Sequence, residues 1–474
     1  MILFEYRIFT PPYRIRRSFS IMNTYDETIK YLYSRLPMYQ RVGSIAYKPG
    51  LDNIKALCHA LGNPQSKTKF IHIAGTNGKG SVSHYLASIL QCAGYKNVGL
   101  HTSPHLKDFR ERIRINGVAV AQEKIVDFVN TCKNTIEILN PSFFEISVAM
   151  AFYFFAEAKS EIAVIETGLG GRLDSTNIIT PELSVITNIS FDHTATLGNT
   201  LAKIAYEKAG IIKPGVPVVI GETNEETKPV FEQKAIECNS PIYFADKEYK
   251  AIHPKVASEN GKPFLRMDIY INDILKYPSL RSELCGLYQL KNIPAVLASV
   301  DILNERVAPH SPKREHIKAN LLNKPGHKLT DDAVKKGLAE VITQTGLLGR
   351  WQTLCDKPLT IADTGHNEAG IKEVLAQLSA LKYNHLHFVF GMVNDKEYGP
   401  ILKRLPQNAL YYFCKANIPR ALDEKKLVKY ASEYGLAGSV FPTVKEALNA
   451  AQANAQKDDI VLVGGSTFVV AEAI

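Results

Sequence analysis

The sequence predicts two α/β domains, a large one followed by a smaller one, each built on a mostly parallel sheet with helices on both faces. Three observations carry this. The apolar runs at 162–165, 184–187 and 216–220 are continuous, as in strands buried on both sides, and do not alternate with polar residues. Stretches with helical spacing lie between such runs. The alternation stops in a polar, basic, proline-containing stretch at 304–328 and restarts after Gly349-Arg350.

The elements follow in order. Phe70-Ile71-His72-Ile73-Ala74 reads as a strand ended by Gly75. Residues 81–93 place Val82, Leu86, Ile89, Leu90 and Ala93 on one helical face, and Gly94 stops the helix. The apolar run 143–156 falls short of the about 18 residues needed to cross a bilayer and contains Glu145, so it reads as a buried helix. Strands at 162–165, 184–187 and 216–220 complete the first sheet. The stretch 304–328, with Pro309, Pro312 and Pro325, reads as an inserted surface loop, and a helix follows at 331–343. Beyond it come a strand at 359–362, a helix at 369–381, and strands at 387–390, 411–413 and 460–463. The domains are placed at 23–345 and 346–474. Residues 1–22 are Arg-rich, their apolar stretch is broken by Pro11 and Pro12, and they make a poor secretory signal. They are expected to be an untranslated or disordered extension with Met22 as the start; the alternative is an organelle-targeting peptide.

The chain has 474 residues, 45% hydrophobic and 22% charged, which is ordinary globular composition and enough for two or three domains of roughly 100–200 residues each. The net charge of +9 is partly local, since four arginines face one glutamate in the first 22 residues. The remainder is too dilute for a nucleic-acid surface but suits polyanionic substrates. Seven scattered cysteines without a CxxC pair indicate reduced thiols in a reducing compartment. The resulting expectation is a cytoplasmic protein, monomeric, without a nucleic-acid or membrane partner.

Gly75-Thr76-Asn77-Gly78-Lys79-Gly80-Ser81 lies between a strand and a helix, the context that turns a glycine-rich string into a phosphate cradle. This makes the first domain P-loop-type. Lys79 can neutralise phosphate charge and Ser81 can ligate Mg²⁺. The spacing departs from the general pattern because Gly80 separates Lys79 from Ser81. Glu166 ends the 162–165 strand, where a carboxylate can hold a hard metal ion. Asp192 and His193 follow the next strand and reach the same edge. Alone, His193 reads more often as a structural hydrogen-bonder, and only Glu166 on a neighbouring strand end makes the metal reading competitive; Lys208, in Glu207-Lys208-Ala209-Gly210-Ile211, reads by itself as an ordinary helical lysine.

Taken together, these strings resemble the folylpolyglutamate synthase/dihydrofolate synthase family of the Mur ligase superfamily. The matching segments also include Thr102-Ser103-Pro104-His105-Leu106, Glu111-Arg112-Ile113, Phe143-Phe144-Glu145, 166–177, Asp192-His193-Thr194, Gly349-Arg350 and Asp363-Thr364-Gly365-His366-Asn367, in family order from about residue 23 onward. The resemblance implies a Rossmann-like second domain and a set of roles. Thr76, Asn77, Gly78, Lys79, Gly80 and Ser81 would hold ATP. Ser81 and Glu166 would ligate one Mg²⁺ and His193 a second, supported by Lys208 as a carbamate. Lys79, His193 and Lys208 would be catalytic. Asn292, in Gly286-Leu287-Tyr288-Gln289-Leu290-Lys291-Asn292, would sit beside adenine, and Arg350, Asp363 and His366 would come to the nucleotide from the second domain. Ser103, Pro104, His105 and Asp174 would belong to the folate pocket. Two turns differ from the family's usual ones: Thr364-Gly365 stands for Gly-Ala, and Ser175 for Ala after Asp174.

The implied activity joins L-glutamate to dihydropteroate or a folate through an acyl phosphate, with ATP and two Mg²⁺ ions, in a site between the domains. The rival readings are a cell-wall Mur ligase acting on a UDP-sugar and a non-catalytic ATP-binding protein. Ser103-Pro104-His105-Leu106 and Gly170-Gly171-Arg172-Leu173-Asp174 favour folate over the UDP-sugar.

Overall fold

The computed structural model describes residues 21–36, 50–304, 328–394 and 398–474. Most of the N-terminal extension and of the 304–328 loop read from the sequence therefore lies outside the described residues.

Eight strands form the first sheet: β1 (Lys69–Ala74), β2 (Gly99–His101), β3 (Ile113–Ile115), β4 (Val118–Ala119), β5 (Ile162–Glu166), β6 (Leu183–Ile186), β7 (Val218–Ile220) and β8 (Ile242–Phe244). Their order is β4-β3-β2-β5-β1-β6-β7-β8. The six strands from β2 to β8 in this order pair in parallel, and the short β3 and β4 add an antiparallel edge. Every residue of β5 and β6 is buried, which is why these strands read as unbroken apolar runs.

Helices cover both faces. On one side, α1 (Lys79–Cys92) is buried continuously from Gly80 to Leu90. On the other, α2 (Phe143–Glu157) is almost wholly buried. The acidic residue in its first turn belongs to a capping box: the Ser142 N–H donates to Glu145 Oε2 at 2.6 Å and the Glu145 N–H to Ser142 Oγ at 3.2 Å. Two further helices matter for the site, α3 (Leu201–Ala209) and α4 (Gln289–Leu303). The expected helix at 331–343 is broken at Glu340 into α5 (Asp331–Ala339) and a short turn, Val341–Thr345. α5 packs on α1 so closely that a Cβ on Gly337 would lie 2.6 Å from Ile89.

A three-stranded antiparallel sheet, β9 (Tyr249–Glu259), β10 (Lys262–Ile271) and β11 (Ile274–Ser282), has no counterpart in the sequence reading. Register shifts at Met267/Ile269 and Arg266/Asp268 break its alternation, and β9 is largely exposed, so the period-2 signal is weak.

The second α/β unit has six strands: β12 (Gln352–Asp356), β13 (Leu359–Ala362), β14 (Leu386–Phe390), β15 (Leu410–Phe413), β16 (Gly438–Val440) and β17 (Ile460–Gly464). Their order is β12-β13-β17-β14-β15-β16, all parallel except the β12–β13 pair. Its helix α6 (Glu368–Ser379) starts from the carboxyl end of β13. The carboxyl ends of β1, β5, β6 and β13 meet at one cleft. No described helix is long and apolar enough to cross a membrane.

Candidate functional site

The phosphate-type loop leaves β1 at Gly75 (φ +146°) and enters α1 after Gly78 (φ +84°). Both glycines are demanded twice over. Their φ values are ones L side chains rarely adopt, and a Cβ would lie 1.9 Å from Thr187 Oγ1 at Gly75 and 2.2 Å from Asn292 Oδ1 at Gly78. The segment after β6 straps the loop down. Thr76 N–H donates to Asn188 O at 2.9 Å, Asn77 N–H to Asn188 Oδ1 at 2.9 Å, and Thr187 Oγ1 to Asn77 O at 2.5 Å. No side chain caps the N-terminus of α1, so its first backbone N–H groups stay available to an anion.

Two lysines converge behind this loop. Lys79 Nζ donates to Gly75 O at 3.0 Å and Thr76 O at 3.1 Å. Lys208, at the end of α3, is buried and donates to the same Gly75 O at 2.8 Å. Burial, reinforced by the Lys79 ammonium and opposed by Asp192 and Asp174, lowers Lys208 to about 7.

Glu166, at the end of β5, faces the first turn of α1. A Cβ on Gly80 would lie 3.9 Å from both carboxylate oxygens and 3.4 Å from Arg350 Nη2. Its carboxylate accepts one hydrogen bond among the described residues, from the Ser103 N–H at 3.1 Å. Burial raises its pKa, against the pull of Lys79, the Ser103 N–H, Arg350 and Arg112. Ser81 Oγ accepts from Gln289 Nε2 at 3.2 Å, and Gln289 Oε1 accepts from Asn292 Nδ2 at 2.8 Å.

From the second unit, Arg350 donates to Gly349 O at 3.2 Å and to Thr364 Oγ1. Asp363 accepts the Tyr288 hydroxyl at 2.6 Å and the N–H groups of Trp351 and Gly365 at 2.8 Å each. His366 holds Thr364 O through Nδ1 at 2.9 Å and stands 3.6 Å from Asp192 Oδ2 through Nε2.

Thr76, Asn77, Gly78, Lys79, Gly80, Ser81, Ser103, Pro104, Glu166, Asn292, Arg350, Asp363 and His366 all line one cleft of about 340 Å³. Four residues singled out in the sequence do not line it. Lys208 sits beneath the loop. His193, at φ +51°, starts a short helix with its N–H on Asp192 Oδ1 at 2.8 Å. His105 Nδ1 accepts from Arg112 Nε at 2.7 Å, and burial with Arg112 holds its pKa well below the ordinary value. Asp174 receives the N–H groups of Gly168, Leu169 and Thr176 and the Thr176 hydroxyl, all between 2.5 and 3.0 Å, and so organises the loop after Glu166.

The sequence reading gave no role to Tyr288, Gln289 or Asn367; Tyr288 and Asn367 join the two units around the cleft, and Gln289 links Ser81 to Asn292 within the first. Asn367 alone carried a readable signal, a capping residue directly before a helix; the other two act through partners distant in sequence.

Residues 73–300 match the Mur ligase middle domain, and residues 349–467 match the Mur ligase glutamate ligase domain. The chain is 31% identical over 464 residues to the dihydrofolate synthase/folylpolyglutamate synthase of Bacillus subtilis, covering 95% of this chain and 99% of that one. It belongs to the dihydrofolate synthase/folylpolyglutamate synthase family of Mur ligases. The folylpolyglutamate synthase of Lacticaseibacillus casei is 30% identical, with 94% and 96% covered. Among solved structures, a Mycobacterium tuberculosis folylpolyglutamate synthase complexed with ADP superposes with a TM-score of 0.78 at 27% identity, covering 95% of this chain and 97% of that one. A bifunctional folylpolyglutamate synthase/dihydrofolate synthase with Mn, AMPPNP and L-glutamate bound gives 0.77 at 26% identity, with 96% and 98% covered. The family thus extends over both α/β units and the cleft between them.

Proposed function

We propose that this chain is an ATP-dependent carbon–nitrogen ligase that joins L-glutamate to dihydropteroate, to a tetrahydrofolate, or to both. One observation carries the reading. Lys79, Glu166 and Arg350, from the two α/β units, face one cleft around an uncapped helix N-terminus. A carboxylate is a poor acylating agent in water. Transfer of the ATP γ-phosphoryl group to an acceptor carboxylate oxygen releases ADP and leaves an acyl phosphate. The glutamate amine then attacks the carbonyl carbon, the C–O bond to phosphate breaks, and the amine gives up a proton. The protein's part is positioning and neutralising charge. Lys79 leaves the loop carbonyls for the phosphates, Arg350 approaches across the first turn of α1, and Thr76, Asn77, Gly78 and Gly80 offer backbone. Asn292 flanks the nucleoside side, with Asp363 and His366 opposite. The second unit shields the acyl phosphate from water.

The donor set fits a hard divalent cation. Glu166 is a buried carboxylate with lone pairs to spare, and Ser81 Oγ lies in the facing turn; these two would hold one Mg²⁺. His193 would serve a second. Lys208 fits as a carbamate: with its pKa near 7, a neutral amine is present at neutral pH to add CO₂, releasing a proton. Bound metal would neutralise phosphate charge. Ser103, Pro104 and His105, with the loop that Asp174 organises, form the folate side. The division at 345/346, a cytoplasmic location and a monomeric state complete the reading.

Phosphate release is the test, with ATP, Mg²⁺ and glutamate, comparing dihydropteroate and tetrahydrofolate as acceptors. Glutamate-dependent release is expected with at least one, and its absence with both would sink the reading. For the carbamate, activity is expected to fall in CO₂-free buffer and to return with bicarbonate, more slowly below pH 7, where Lys208 is protonated. Lys208→Ala should regain activity with an added short carboxylic acid; full activity without rescue would refute the carbamate.

A further inference from the structure

The phosphate-type loop is fixed along its backbone by the strand-end segment 187–190, but one of its side chains is held from elsewhere. Asn77 Nδ2 donates to Asn367 Oδ1 at 3.1 Å, and Asn367 Nδ2 donates back to Asn77 Oδ1 at 3.0 Å, a reciprocal amide pair between the two α/β units. Asn367 does more with the same atoms. Its Nδ2 also donates to Asp192 Oδ2 at 3.0 Å, beside His193, and its Oδ1 accepts the Gly370 N–H at 2.8 Å as the N-cap of α6. The residue is 3% exposed, so these bonds form away from competing water. One buried amide therefore ties the start of α6, the phosphate-type loop and the Asp192-His193 segment to one another.

We propose that Asn367 is a positioning residue that sets the loop for nucleotide only when the second unit is docked, acting through Asn77 and Asp192. The inference rests on the functional reading above. It assigns the second unit a part in ordering the loop, besides contributing groups to the cleft. When the units separate, the Asn77 amide loses its partner and Asp192 loses a donor, so the loop and the His193 turn relax together. Nucleotide affinity is then coupled to docking of the second unit.

The test is a cycle on the full chain: Asn77→Ala, Asn367→Ser and the double variant, with Asn367→Asp beside them. Ser and Asp both keep a cap for α6. Ser cannot reach Asn77, and Asp turns a carboxylate toward Asp192. AMPPNP affinity is expected to weaken about tenfold in each single variant and no further in the double, measured well below each variant's unfolding midpoint. In turnover, KM for ATP should rise by a similar factor while KM for the folate acceptor holds. Normal AMPPNP affinity in Asn367→Ser, or additive losses in the double variant, would overturn the proposal. So would a loss that tracks the unfolding midpoint. Because AMPPNP binding is read apart from turnover, failure of the ligase assay in the unaltered protein would count against the function and leave this result standing.

Discussion

Each of the two parallel sheets ends a strand in a polar turn that launches a helix into the same cleft, and the two turns are finished in opposite ways. After β1, the turn from Gly75 to Gly78 supplies no side-chain cap to α1. After β13, the turn from Asp363 to Asn367 is closed by partners within the turn and from the first unit. Asp363 accepts three donors, and Asn367 caps α6. A helix start left open toward a cleft favours an anionic ligand; one whose donors are already matched by side chains does not. The first turn thus leaves its helix start open to an anion, and the second holds its shape with Arg350 and His366 bonded to Thr364.

This contrast can be attacked in order of effect. Lys79→Ala removes the mobile charge of the open turn and should lower turnover by about 10³-fold, measured as glutamate-dependent phosphate release. A near-normal rate would mean that the turn does not handle phosphate. Tyr288→Phe leaves the buried Asp363 short of a donor in the closed turn. It should cost about 1–3 kcal/mol of stability by denaturant unfolding, with a smaller change in rate than Lys79→Ala. A large rate loss with unchanged stability would put Asp363 among the reacting groups. Smallest is Lys291→Ala, which breaks the ion pairs with Glu373 at 2.7 Å and Glu222 at 3.5 Å at the rim between the two turns. Its side chain is half exposed, so the loss should stay below about 1 kcal/mol.

The open turn was legible in the sequence and the closed one only in part. Glycines at 75, 78 and 80 between a strand and a helix have few other uses, and the flanking periodicities place them at a sheet edge. Lys79, Ser81 and Glu166 could be brought together by that logic alone. Lys208 could not: its helix reads as ordinary, and only the resemblance raised it, while its contact with Gly75 O spans 133 residues. Asp363 and Asp174 were identified as site residues by their motifs, but a motif does not reveal that their oxygens are already occupied by neighbouring donors. The β9–β11 sheet escaped because its bulges and exposed edge blur the alternation that marks a strand. Tyr288 and Gln289 escaped because their partners, Asp363 and Ser81, are distant in sequence.

The carbonyl of Gly75 has a consequence of its own. It is held at once by Lys79 and Lys208. A main-chain oxygen abandoned in a dry interior would penalise the departure of its donor, yet here departure is covered. Were Lys79 to turn toward an anion in the cleft, the Lys208 nitrogen, which keeps an N–H as amine and as carbamate alike, would still satisfy the oxygen. The second lysine makes the first one free to move.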